Sequence, residues 1–393
     1  MGINPQRQKK NKIMPIYLPY VLLIVFLGIC ALLYDNQKSV TIKRRAIFAS
    51  ISVFFIFFAF RGFILSDWII YYKYFQNCNW YDVTEYKIGS ELHWEPGFTI
   101  LNIICKSIYN NYFFLQFIVC IIDTVLLLNF FRKYIKNIPL ALMLYITFEG
   151  LVISTNLLRN SIAICIFLNS LTYIKERKPI HYFSLCLLAL SFHTSSLVYF
   201  PLYFFFHKKA NKWLYLGIFI ACNIIYLGHI SVFLTIASIL GIDQQFAMRV
   251  KAYTEVFNES TGISIGYLER LMTGILVFLY YNKLEDIRKK NAIIINGLIG
   301  YFVMYFFLSE FSVMSKRFAT LFAYGYWIIW IDLIKCFAIR NNKRLFECFI
   351  FIYCVFRMIG SAYLPDFQYD NLIFGIKSYQ ERLYIHNKTF KEP

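Results

Sequence analysis

Twelve separate apolar runs, many of them near the length that crosses a lipid bilayer, leave this chain few folds to choose from. A hydrocarbon core about 30 Å thick takes roughly 20 helical residues to span. In lipid, only helices and closed barrels satisfy every backbone polar group internally. Apolar runs recur near residues 16–34, 46–65, 112–131, 138–153, 157–174, 180–192, 195–206, 213–228, 263–281, 292–308, 318–334 and 345–364. They predict an all-α polytopic membrane protein with about 12 transmembrane helices. Residues 98–108 and 231–240 are too short to span and are expected as half-helices or interfacial segments. The two short runs flanking His193 predict a broken or hairpin element. No polar stretch is long enough to close a core of its own. We therefore expect one integral membrane domain over 1–393, with outer loops at 66–97 and 229–262 and a C-terminal tail at 365–393.

A net charge of +18 would suggest nucleic acid in a soluble protein. Here hydrophobic residues make up 59% of the chain, and the basic residues sit in short clusters between apolar runs. That is the pattern that sets orientation in a membrane, and no nucleic-acid partner is expected. Alternate loops at 35–45, 132–137, 175–179, 207–212, 282–291 and 335–344 hold just over half of the 40 Lys and Arg, which predicts a cytoplasmic location for them. Residues 66–97 then face outward, carrying Asp67, Asp82, Glu85, Glu91 and Glu95 against Lys73 and Lys87. The scheme leaves the basic N-terminus, with Arg7, Lys9, Lys10 and Lys12, outside, against the positive-inside rule. That start resembles a signal peptide, but Ile29 before Cys30 is not the small residue that cleavage needs, so residues 16–34 are expected as a retained helix. Of ten cysteines only Cys78 falls in a predicted outer loop, and no Cys-x-x-Cys occurs, so neither a disulfide framework nor a metal site is supported. No Gly-rich phosphate loop points to a nucleotide cofactor, and none is expected.

Charges inside apolar runs are expensive and mark function by default. In the charge-derived topology Arg61, Arg159, His193, Arg270, Arg317 and Arg357 lie in or near the outer halves of their helices, beside outer loops that hold Arg249 and Asp67. The convergence predicts an electropositive cavity open to the outer face. Asn156, Arg159, Asn160 and Ala163 fall at helical spacing on one face, where the planar guanidinium fork could grip a pyrophosphate. The plainer alternative is an arginine snorkelling to headgroups. His193, in Phe192-His193-Thr194-Ser195-Ser196, could take a proton from a sugar hydroxyl, bind a ligand, or cap a structural kink. Trp94 and Tyr71 could stack on sugar rings or belong to an interfacial belt. Asp67 with Arg61 could be a simple surface salt bridge. Glu95, before Pro96-Gly97-Phe98, is either a helix-start charge or a second candidate base. Arg317 suits an anion site or lipid headgroups equally well. Asp123, Glu149 and Asp332 lie in or beside spans with no evident role.

Several segments, in order, resemble the EpsG branch of the bacterial polysaccharide polymerases, related in role to Wzy O-antigen polymerases. They are Phe60-Arg61-Gly62 with Asp67 and Tyr71; Glu95-Pro96-Gly97-Phe98; Leu158-Arg159 with Ala163; Ala189, Phe192-His193 and Ser195 with Pro201; and Arg317-Phe318. Asn160 stands where similar proteins commonly carry glutamine. The resemblance implies metal-independent joining of undecaprenyl-pyrophosphate-linked oligosaccharide units at the outer face of a bacterial inner membrane. A chain-length regulator and membrane lipids would be further partners. Arg61, Arg159, Asn160, Arg249, Arg270, Arg317, Arg357, Tyr71 and Trp94 are then candidates for substrate binding, and His193, Glu95 and Asp67 for proton transfer. A lipid-linked glycan ligase shares the donor and differs in acceptor. A polyisoprenoid-linked oligosaccharide flippase is the non-enzymatic alternative, which inverted repeats would favour. No internal repeat is evident, and no acidic partner near His193 suggests an acyltransferase.

Overall fold

The computed structural model describes residues 15–87, 94–232, 235, 263–288 and 292–391. Among these the regular structure is helical, apart from isolated antiparallel bridges of Arg61 with Asn371 and Asn371 with Gly375. Among the described residues three helices are long and apolar enough to cross a bilayer: Leu18–Asn36, Tyr112–Tyr134 and Ile138–Thr155. Val313–Thr320 and Tyr324–Cys336, bent by 63°, add a fourth if the pair counts as one span. The chain is thus a helical membrane protein, and the expected count of about 12 crossings is not supported.

The physical reason is that an apolar run is not a helix. Residues 195–206, read as a crossing, fold into the 3-10 turn Thr194–Tyr199 and the four-residue helix Leu202–Phe205, separated near Pro201. Pro179–Leu190, Lys212–Leu227 and Ala292–Phe307 are helices of 12, 16 and 16 residues, short of the roughly 20 a span requires. The half-helix expected at 98–108 is the 13-residue helix Pro96–Ile108. Arg249, the basic N-terminal cluster and most of the expected interfacial helix at 231–240 lie outside the described residues.

The helix Val40–Ala59, about 30 Å long at 1.5 Å per residue, separates two ends of the molecule. At its start, the basic loops interlock. Asn137 donates to Asp35 at 2.9 Å, and Lys209 pairs with Glu285 at 2.6 Å. Arg288 clamps the fully buried Asp332 and donates to the Tyr134 carbonyl at 2.7 Å. Asp332, without a role in the sequence reading, is therefore a structural counter-ion. At the far end of Val40–Ala59 lies the segment from Phe60 to Asp67. A second apolar cluster sits beneath it, with Phe63, Trp68, Tyr71, Phe75, Trp94, Phe98, Leu158, Ile162 and Ala189 among its members.

The C-terminal tail is stitched onto this same segment. Gly62 N donates to Asp370 O at 2.8 Å, Leu65 N to Asp366 O at 2.9 Å, and Leu372 N to Phe60 O at 2.8 Å. Arg382, from the closing helix Tyr379–Lys391, is buried and donates to the carbonyls of Phe63 and Asp366. Tyr20 of the first helix donates to Phe367 O at 2.7 Å. The stretch that carries Asp67 is thereby held from the first helix, the second helix and the tail together.

Candidate functional site

Three chain breaks meet at the far end: Phe60–Asp67, Asn156–Leu157 and Ser191–His193. Leu65 takes a left-handed backbone (φ 65°), which costs a branched residue of order 1–3 kcal/mol and is held by the tail. The Asn156 carboxamide then accepts the backbone N–H groups of Ser66 at 3.2 Å and Asp67 at 2.9 Å. Asn156 was expected on the same helical face as Arg159. The helix begins only at Leu158, so Asn156 turns away and serves the Asp67 loop. Gly97 lets the second chain approach: its N–H donates to Ser191 O at 2.7 Å, and a Cβ there would lie 2.5 Å from Ser191 Oγ. That contact sets Glu95 against Thr194.

Glu95 is saturated. Its Oε2 receives Arg159 Nη1 at 2.6 Å, and its Oε1 receives the Thr194 backbone N–H and hydroxyl, each at 2.9 Å. Burial alone would push this carboxyl up; the Arg159 charge and the Thr194 N–H outweigh it and hold Glu95 below the usual carboxylate range. The Arg159 guanidinium lies 4.4 Å over the Trp94 ring, whose indole stacks on Tyr74 at 3.9 Å. Trp94 is buried, a platform for Arg159 with no broad face left for a sugar. Arg159 keeps a buried Nε without a partner, and its side chain is 22% exposed, so it is anchored on one edge and open on another.

His193 Nδ1 accepts the Ser195 backbone N–H at 3.1 Å. A backbone amide can only donate, so Nδ1 offers its lone pair and the neutral ring carries its proton on Nε2. Burial, then the neighbouring Arg159 charge, lowers the His193 pKa, in keeping with a neutral ring in this break outside the spanning helices. The Ser195 hydroxyl lies 2.8 Å from His193 Nδ1, to which it can donate, and 3.1 Å from the buried Asn160 carboxamide, so Asn160 ties the Leu158–Lys175 helix to the His193 break.

These groups surround a pocket of about 240 Å³ lined by Asp67, Tyr71, Arg159, Asn160, His193, Ser195 and Arg317, with Leu157, Met314 and Phe318 as its apolar wall. Arg317 is exposed, and among the described residues neither a carboxylate nor a hydrogen-bond acceptor holds it. The Asp67 carboxylate lies 3.4 Å from the Ser66 hydroxyl and also meets the Asn156 side chain, so neutral groups hold it. Burial pushes the Asp67 carboxyl above the ordinary range, with Arg317 pulling the other way.

The other expected cations lie elsewhere. Arg61 turns inward, 1% exposed, donating to Phe58 O, with Nε and Nη2 unpartnered in a cavity of about 10 Å³ shared with Asp123. Arg270 and Arg357 form a clasp with Glu149 and Glu269. Arg357 meets Glu269 at 2.8 Å and Glu149 at 3.7 Å, and Arg270 meets Glu149 at 3.4 Å and the Tyr301 hydroxyl at 2.6 Å. Two cations there face two carboxylates, so the clasp carries no excess positive charge for an anion. Glu149 reaches them from a kink in the Ile138–Thr155 helix, where its own φ is 69°. The sequence reading left Glu149 without a role, named Thr194 only as a neighbour of His193, and missed Glu269 altogether; no local motif marks either glutamate.

The EpsG family profile matches residues 44–374, most of the chain, and the chain belongs to the EpsG family, a Wzy-like polysaccharide polymerase family. No curated protein and no solved structure matches it.

Proposed function

From that membership and the geometry of the pocket, we propose that the protein joins polyprenyl-pyrophosphate-linked oligosaccharide units, transferring the growing chain of one to a hydroxyl of another at the outer face of the bacterial inner membrane. The observation that carries the reading is a single pocket holding two incompletely paired arginines, a buried carboxylate held by neutral side chains, and an imidazole. An anomeric carbon bonded to pyrophosphate already has an activated leaving group. What remains is to neutralise the charge that develops on the diphosphate and to remove the acceptor proton.

Arg159 and Arg317 suit the first task. Arg159 is aimed by Glu95, Trp94 and the Tyr71 hydroxyl, and its partly exposed guanidinium can donate to a phosphate oxygen. Arg317 supplies a second charge from the bent helix pair. His193, with its proton on Nε2, donates to a phosphate or sugar oxygen. It is a poor base in this arrangement because its accepting nitrogen is already engaged. The base in this reading is Asp67: its carboxylate lines the pocket, held by the neutral Ser66 and Asn156 side chains, and burial raises its pKa toward the working range of a general base. Glu95, with both oxygens occupied, is a positioning residue. In balance, the acceptor O–H loses its proton to Asp67, the new C–O bond forms as the C–O bond to pyrophosphate breaks, and the diphosphate leaves with its electron pair.

A deletion strain complemented with variants tests the function. The expected glycan profile without the protein keeps single repeat units and loses long chains. Loss of exported units altogether would instead indicate a flippase, and normal polymer missing only its attachment would indicate a ligase.

A further inference from the structure

At the end opposite the pocket, a groove of about 590 Å³ opens between the helices Leu18–Asn36, Ile138–Thr155 and Arg340–Ser361. Its walls are apolar along most of their length, with Ala31, Leu32, Leu140, Met143, Ile350 and Phe351 among them. Gly28 allows this shape: a Cβ there would lie 2.4 Å from the Phe351 ring, so the ring rests on bare backbone and forms the floor. From Arg340 to Ile352 the groove follows one helix for about 18 Å at 1.5 Å per residue. That is about the depth of one leaflet of a 30 Å hydrocarbon core.

The mouth is cationic. Arg340, Lys343 and Arg344 line it against Glu347, which pairs with Lys343 at 3.8 Å, and Asp35, which accepts from Asn137 at 2.9 Å, so three cations face two carboxylates and the rim is net positive. Arg340 and Arg344 are exposed and have no carboxylate or hydrogen-bond partner among the described residues. A leaflet-deep apolar trough with two unpaired guanidinium groups at its rim matches a molecule with an acyl chain and a phosphate-bearing, net-negative head. We propose that this groove is a site for one anionic glycerophospholipid, its head on Arg340 and Arg344 and an acyl chain along Leu32 and Phe351. The charge pattern assigns that end to the cytoplasmic leaflet, where anionic lipid meets basic helix ends.

The test is native mass spectrometry of the full chain released from nanodiscs, titrated with phosphatidylglycerol, phosphatidylcholine or glycerol 3-phosphate. One phosphatidylglycerol should be retained per chain, with phosphatidylcholine and glycerol 3-phosphate weaker by about tenfold or more. Arg340→Gln with Arg344→Gln should weaken phosphatidylglycerol about 30-fold, taking each basic group near a headgroup at its usual worth. Leu32→Trp, an exposed position that would fill the trough, should weaken it while the rim is intact. Equal retention of the two lipids, or unchanged retention in the double variant, would overturn the proposal. Loss in the double variant with full retention in Leu32→Trp would also overturn it, because a charge-only contact needs no groove.

Discussion

Two arginine clusters in this molecule use the same side chain for opposite ends. In the clasp, Arg270 and Arg357 face Glu149 and Glu269 with tyrosines closing the remaining sides, and every charge has its counterpart. In the pocket, Arg159 has one carboxylate and keeps a partnerless Nε, while Arg317 has no such partner among the described residues. A buried cation that is fully paired contributes to holding helices in register, and removing one partner strands the other. A cation held on one edge only is preorganised for an anion that arrives later. The number of arginines in a cluster therefore says less about substrate binding than how completely each guanidinium is paired.

The comparison can be broken most severely at Asp67. Asp67→Asn should lower the polymerisation rate by about 10² to 10⁴ while donor affinity stays nearly unchanged, as proton-transfer losses do. His193→Gln keeps an N–H donor and should cost no more than about tenfold; the reverse ranking would restore histidine as the base. In the wild type, the rate should fall as pH drops through the Asp67 pKa, since only the carboxylate accepts the proton. Burial places that midpoint above an ordinary aspartate's, and Asp67→Asn should abolish the limb.

Next in size is the clasp. Arg357→Met should destabilise the fold by about 3 kcal/mol by removing the nearer of the two cations on buried Glu269 and leaving only Arg270 at 3.9 Å. Thermal melts in detergent would show the loss, with donor affinity per folded molecule preserved. A folded Arg357→Met protein that has lost donor binding would erase the distinction between the clusters. A smaller effect is expected for Arg159→Lys, which keeps charge and loses the fork. Donor affinity should drop about 10- to 100-fold, the worth of one charged hydrogen bond, with little change in melting. Gly97→Ala should sharpen the picture at the low end. Its Cβ meets Ser191, so the Glu95 and Thr194 contact loosens and turnover falls without loss of the fold.

Much of this site is legible in local sequence, and the reason is cost. Arg159, His193 and Asp67 stand out because ionisable groups in or beside apolar runs demand an explanation. Helix type is equally visible in the runs themselves, and Tyr112–Tyr134 lies where apolar length alone predicts it. What is not legible is pairing at long range. Glu95 and Arg159 are 64 positions apart, Arg357 and Glu269 are 88, and Arg270 and Glu149 are 121. No window of helical periodicity contains such pairs, so Arg270 and Arg357 read from sequence as free cations and Glu95 as a free base. Breaks inside apolar runs are hidden for a related reason. The two short runs predict the break at His193 itself, but the 3-10 turn Thr194–Tyr199 that follows it and the bend after Thr320 lie inside apolar runs, and hydropathy counts straight through them. The tail from residue 365 looks like a polar appendage, yet Arg382 is buried beneath Phe63 and Asp366.

The central claim, that the pocket arginines await a diphosphate and the clasp arginines do not, is tested most directly by a cryo-electron-microscopy map of the protein with a polyprenyl pyrophosphate bound. Diphosphate density is expected within hydrogen-bond reach of both Arg159 and Arg317, beside Asp67, with the clasp unchanged. Diphosphate density on Arg270 and Arg357, with Glu149 or Glu269 displaced, would contradict it.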